Sequence, residues 1–140
     1  MGRMRVSAKV DYALRAMAEL AAAPPGPVKA ERLAAAQSIP PKFLESILLE
    51  LRHSGLVASQ RGAEGGYRLA RPAAEITVAD VIRAVEGPLA TVRGERPDSI
   101  SYTGPAAALR EVWLDLRTAM RGVLETTTLE QVVSRSHASR

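Results

Sequence analysis

The sequence predicts a mainly α protein with a small β-wing: a winged helix-turn-helix followed by a long dimerisation helix. Three observations carry this. Phe43, Leu44, Ile47, Leu48 and Leu51 recur at three- and four-residue intervals, one apolar stripe of a helix. Leu56, Val57 and Ser59 then begin an extended piece, Gly62, Gly65 and Gly66 sit in a turn, and Tyr67 and Leu69 alternate with Arg68 on a returning strand. Far beyond that hairpin, Leu109, Val112, Trp113, Leu116, Met120 and Val123 give a second long apolar face.

Each element has its own signals. Ser7 is a good N-cap for a first helix that runs to about Ala23, with Val10, Leu14, Met17, Ala18 and Ala21 as its apolar stripe and Lys9 and Arg15 on exposed flanks. Pro24, Pro25, Gly26 and Pro27 break the chain, and Val28 is a candidate short extended segment. A short helix over 30–36 turns inward on Leu33 and reaches a second helix through the turn 37–40. Pro41 opens that helix, because a first turn leaves the N–H that proline lacks unpaired anyway, and Ser54 and Gly55 end it. Thr77 and Asp80 approximate a capping box for a helix over 78–85, stopped by Gly87 and Pro88. Residues 89–105 are irregular, with Gly94, Pro97, Gly104 and Pro105. The long helix resumes at about 106 and reaches 124. Leu129, Val132 and Val133 suggest a short final helix, and 134–140 reads as a disordered serine-rich tail. The units are then a winged helix-turn-helix over 4–86, a loop over 87–105 as a sensory or partner region, a dimerisation helix and C-terminal segment over 106–133, and the tail.

Composition sets bounds. A chain of 140 residues is one domain by length, and 46% apolar residues suffice for a core, built mostly of Ala, Leu, Val and Ile. The 19 basic and 15 acidic side chains leave a net charge of +4, which favours a polyanionic partner. With no cysteine there is no disulfide, thiolate-bound metal or cysteine-ligated iron–sulfur cluster. The two histidines, His53 and His137, stand far apart, and no nucleophile, acid–base pair or metal set has usable spacing. No catalytic, metal or cofactor-binding residue is expected, and the protein is not read as an enzyme. No apolar run approaches the roughly 20 residues of a membrane span, so the expected setting is the cytoplasm without membrane association.

The helix pair and hairpin make a physical case for double-stranded DNA. A helix preceded by a shorter one can lie in a major groove, and a thin ribbon can reach the neighbouring backbone or minor groove. The outward candidates at the start of the second helix are Pro40, Lys42, Glu45 and Ser46. In the wing they are Ser59, Gln60, Arg61, Gly62 and Arg68, with Arg71 as further positive charge. Arg61, beside a glycine-rich tip, is the foremost phosphate or minor-groove contact. Glu45 either accepts from a cytosine amino group or is a plain surface residue, and the sequence leaves both open.

Three stretches, MRVSAKVDYALRAMAELA, IPPKFLESILLELRHSGLV and SGLVASQRGAEGGYRLARP, resemble the IscR–NsrR–CymR family of bacterial transcriptional regulators. ITVADVIRAVEGPL resembles it too, and the similarity runs from Met4 to about Val133. It implies a homodimeric regulator, usually a repressor, of near-palindromic operators. It adds Lys9 and Tyr12 of the first helix as DNA-backbone contacts, set against solvation for Lys9 and packing for Tyr12. Relatives with a [2Fe–2S] cluster place three cysteines in the loop corresponding to 89–105. This chain has none there, so the cluster is not carried over. Among cysteine-free-site relatives the nearest parallel is the cysteine-metabolism repressor, which works with a cysteine synthase. A small-molecule effector and a protein-interaction winged-helix module are the other readings. The long helix, through Leu109, Val112, Trp113, Leu116, Met120 and Val123, is expected to pair with a second copy, with packing on the first helix as the alternative.

Overall fold

The computed structural model describes residues 6–89 and 91–138. The order of elements is α1 (Ala8–Ala22), α2 (Ala30–Gln37), α3 (Pro41–His53), β1 (Val57–Gln60), β2 (Gly66–Leu69), α4 (Val78–Glu86), α5 (Leu109–Leu124) and α6 (Leu129–Ala138). Short 3₁₀ turns stand at Ala73–Glu75, Pro97–Ser99 and Gly104–Ala106.

The caps read from sequence are in place. The Ser7 hydroxyl accepts from the Val10 amide at 3.1 Å, covering one of the donors that a helix start leaves unpaired. Thr77 and Asp80 form a full capping box, with reciprocal bonds of 3.1 and 3.0 Å. Between α2 and α3, Ser38 takes a left-handed conformation (φ 52°), and the Ile39 amide then donates to the Ala34 carbonyl at 2.9 Å. Ile39 drops into the core beneath the turn.

The core gathers around the inner face of α3. Leu44, Ile47, Leu48 and Leu51 are fully buried against Met17, Ala13 and Ala16 of α1, Leu33 of α2 and Ile76 and Val81 beyond the wing. Burial of each such aliphatic side chain contributes about 1.5–3 kcal/mol. Phe43 departs from the expected stripe: it is 41% exposed. The spacing explains why. Leu44, Ile47, Leu48 and Leu51 already complete the i, i+3, i+4, i+7 pattern, and Phe43 lies one position, about 100°, off it.

The wing is an antiparallel pair, Val57 opposite Leu69 through Gln60 opposite Gly66. Val28 adds a third short edge, exchanging two backbone hydrogen bonds of 2.7 Å with Tyr67. That pairing brings backbones so close that a Cβ on Gly66 would sit 2.5 Å from the Val28 carbonyl oxygen.

Past the wing, α4 packs on α1. The chain returns at its end: the Leu129 amide donates to Ile76 at 2.9 Å, the Val78 amide to Thr127 at 2.8 Å, and α6 lies against α1. α6 continues to Ala138, so 134–138 are helical rather than the irregular tail expected; 139 and 140 fall outside the described residues. The 89–105 region is more structured than its composition suggests. Leu89, Pro97 and Ile100 are buried, Val92 bridges Glu95, and the Tyr102 hydroxyl accepts from the Trp113 indole at 2.9 Å. The long helix starts at Leu109, three residues after the Gly104–Ala106 turn, and buries none of its own residues.

Gly66→Ala should therefore disrupt the joint between wing and helices. We expect a loss of about 1–3 kcal/mol, typical of forcing atoms into filled space, read as a lowered urea midpoint with unchanged slope.

Candidate nucleic-acid interface

α3 presents one continuous outer face. Pro40, Lys42, Phe43, Glu45, Ser46 and Leu49 are all exposed, the consequence of burying the opposite stripe. The side chains of Lys42 and Glu45 make no hydrogen bond or ion pair among the described residues. The Ser46 hydroxyl donates to the Phe43 carbonyl at 3.0 Å, which leaves its oxygen free to accept.

In the wing, Gln60, Arg61 and Gly62 are exposed, and the Arg61 side chain is unpaired among the described residues. Gly62 has φ 102°, a backbone conformation that glycine adopts without a Cβ penalty. The Ser59 hydroxyl accepts from the Arg52 guanidinium of α3 at 3.2 Å, which leaves its own proton to donate. This bond ties β1 to α3, a link that the sequence does not announce because Arg52 lies late on its helix. Arg68 alternates to the opposite face of the ribbon from Tyr67 and lines a cleft with Leu20, Pro24 and Pro72. It is not brought together with the α3 face.

α1 contributes a seam rather than free charges. Lys9 and Arg15, expected on exposed flanks, are both engaged. Lys9 pairs with Glu50 of α3 at 2.9 Å. Arg15 binds Asp11 at 2.7 Å and the Gln37 carbonyl at 2.8 Å, and its guanidinium lies 4.8 Å from the Tyr12 ring centre. Tyr12 meets Phe43 edge to face, ring centres 5.4 Å apart. Arg15 thus holds the end of α2, the tyrosine and, through it, the aromatic at the start of α3. Sequence reasoning missed Arg15 and Phe43 as site residues. The one available signal was that Phe43 fell off the completed stripe.

The model of the Rrf2 family, described as iron-dependent transcriptional regulator, matches residues 6–135. The chain belongs to the Rrf2 family. The HTH-type protein Rv1287 of Mycobacterium tuberculosis is 56% identical over 130 residues, covering 92% of this chain and 81% of that one. The HTH-type transcriptional regulator CymR of Bacillus subtilis is 38% identical over 132 residues, covering 94% and 91%. Among solved structures, B. subtilis CymR superposes with TM-score 0.76 at 36% identity over 95% of this chain and 98% of that one. IscR of T. potens gives 0.81 at 32% identity over 98% and 91%. The resemblance to the IscR and CymR regulators is thereby established, as is the mainly α winged fold. The relatives are named transcriptional regulators, not enzymes. The iron in the family description does not fit this chain through thiolates, since the sequence has no cysteine. Nor do the described residues gather three His, Asp or Glu side chains as ligands. No described helix is long and apolar enough to cross a membrane.

Removing the Arg15 guanidinium should loosen the seam without touching the core. Arg15→Ala is expected to cost about 1–2 kcal/mol, the worth of a charge-assisted bond to a backbone carbonyl at a half-exposed site, measured by chemical denaturation.

Proposed function

We propose that this Rrf2-family chain is a homodimeric, sequence-specific DNA-binding repressor of near-palindromic operators. The observation that carries the reading is the outer face of α3. An exposed helix start carries an uncommitted lysine and carboxylate, and the wing that follows α3 carries an exposed, unpaired arginine at its glycine-rich tip. Lys42 and Arg61 supply attraction to phosphate, and Gly62 lets the backbone approach closely. Glu45 costs energy near phosphates, so its place at the helix start makes sense as an acceptor from a cytosine amino group. Pro40 and Ser46 flank it, and Phe43 offers its exposed ring to a thymine methyl. Gln60 and Ser59 extend the wing contact, and Arg68 serves the outer backbone. Lys9 and Tyr12 act at the seam, with Tyr12 setting the Phe43 ring.

The dimer reading is supported by α5. A 16-residue helix that buries none of its residues in its own chain leaves Leu109, Val112 and Val123 at 39%, 51% and 63% exposure. Trp113, Leu116 and Met120 are half-buried beside them. A second copy related by a two-fold axis would cover this face and space two α3 helices for successive major grooves. Control of cysteine metabolism, with a cysteine synthase as partner, is the role we propose, on the likeness to CymR, the global cysteine regulator of B. subtilis. The 87–105 segment is the proposed sensory region. A protein-interaction module is the second reading, and salt-independent failure to bind duplex DNA would favour it.

Two experiments test this. In a competition assay varying every operator base pair, Glu45→Ala should lose about 1–3 kcal/mol of discrimination at one position per half-site. Phe43→Ala should relax a neighbouring thymine preference, and Arg61→Ala should weaken all sequences and lower the salt slope by about one. Unaltered preference in Glu45→Ala would return it to the surface. Sedimentation of Val112→Glu should show folded monomers, and a folded dimer would count against α5 as the interface.

A further inference from the structure

We propose that the cleft between the end of α4, the following loop and α5 binds a small dianionic metabolite, a phosphate monoester by its charge. The cleft encloses ≈ 430 Å³, inside the range of about 300–1,000 Å³ usual for small-molecule sites. Arg83, Arg96, Arg117 and Arg121 line it, over a floor of Gly87, Pro88 and the buried Leu89.

The charges do not balance within the cleft. Glu125 accepts from Arg121 at 2.6 Å and pairs with Arg83 at 3.2 Å. Asp98 lies 3.5 Å from Arg96 and 3.9 Å from Arg117, with its backbone carbonyl held by Arg110 at 3.3 Å. Each carboxylate is thus shared by two guanidiniums, and two positive charges remain in excess. The hydrogen bond from Arg121 lowers the Glu125 pKa, so that carboxylate stays ionised and is fully counted. A salt-bridge network built only for stability would match its arginines with acids, because uncompensated like charges repel. Each guanidinium also has five N–H donors in a planar fork, most of them unused here. A phosphate monoester carries about −1.5 to −2 at neutral pH and presents three acceptor oxygens. It meets the excess, while Leu89 and Pro88 give its carbon skeleton an apolar shelf.

The arginines come from α4, the loop and α5, so a bound dianion would bridge the helix packed on the winged unit to the helix proposed for dimerisation. Its effect on operator affinity rests on the DNA-binding reading; its binding does not. Calorimetry of the full chain in phosphate-free buffer, with inorganic phosphate as probe, tests the binding alone. We expect saturable binding at one site per chain, and weakening of about tenfold in Arg96→Gln and more in Arg83→Gln/Arg117→Gln. Glu125→Gln, which removes a competitor for the guanidiniums, should tighten it. Arg32→Ala, on α2, should leave it unchanged. Unaltered affinity in Arg96→Gln and the double variant, loss in Arg32→Ala, or absence of saturation would overturn the proposal. Succinate binding more tightly than phosphate would overturn the phosphate assignment. Operator titration with and without phosphate then reads the regulatory consequence separately.

Discussion

The wing has little apolar area of its own, and the pair of 2.7 Å bonds between Val28 and Tyr67 holds it to the helices. Two strands of four residues are marginal in water. Val28 turns the ribbon into a three-stranded patch whose middle strand carries Tyr67 and whose inner residues, Val57 and Leu56, reach the core. The Arg52–Ser59 bond and the Lys29 ammonium, which donates to the Gly65 carbonyl at 3.3 Å, fix the same ribbon from two further sides. The angle between α3 and the wing tip follows from these few contacts, and so does the spacing at which the two could meet a duplex. Glycine at 65 and 66 is the steric condition for that closeness: a Cβ on Gly65 would overlap the Gln60 carbonyl.

How much of this was legible differs by element, for physical reasons. The caps at Ser7 and Thr77, the α3 stripe and the hairpin are local, and local chemistry is written in neighbouring residues. The Gly104–Ala106 turn and the late start of α5 were blurred because alanines there suit either continuation. α6 was cut short because serines in its last turns look like tail, whereas Ser136 returns its hydroxyl to the Val132 carbonyl at 2.8 Å. At the candidate interface, exposure of Pro40, Lys42, Glu45, Ser46, Gln60 and Arg61 could be read from the complementary buried stripe. The partners of Lys9, Arg15 and Ser59 could not. They lie 41, 22 and 7 residues away, and no periodicity encodes which cation finds which acid or carbonyl across a helix crossing.

The absence of cysteine reorganises the expectation for 89–105. A loop that in cluster-bearing relatives would be shaped by a metal is here shaped by packing. Leu89, Pro97 and Ile100 are buried and Tyr102 is fastened to Trp113. The result is a segment that α5 and the end of α4 can both grip without a prosthetic group, lined by arginines where a thiolate-bound cluster would need sulfur.

The return of the chain to its own beginning has a consequence for synthesis. α1 is made first, yet one side of it is covered by α6, and the strand-like clasp at Thr77 waits for Thr128. A growing chain emerges with α1 only partly clothed until α6 has followed it. The helical pair and wing can assemble beforehand, since α2, α3 and the hairpin supply one another's contacts. Covering of α1 is therefore coupled to the synthesis of α6, and a chain truncated before Leu129 leaves the surface of α1 open to chaperones and to other unfinished copies.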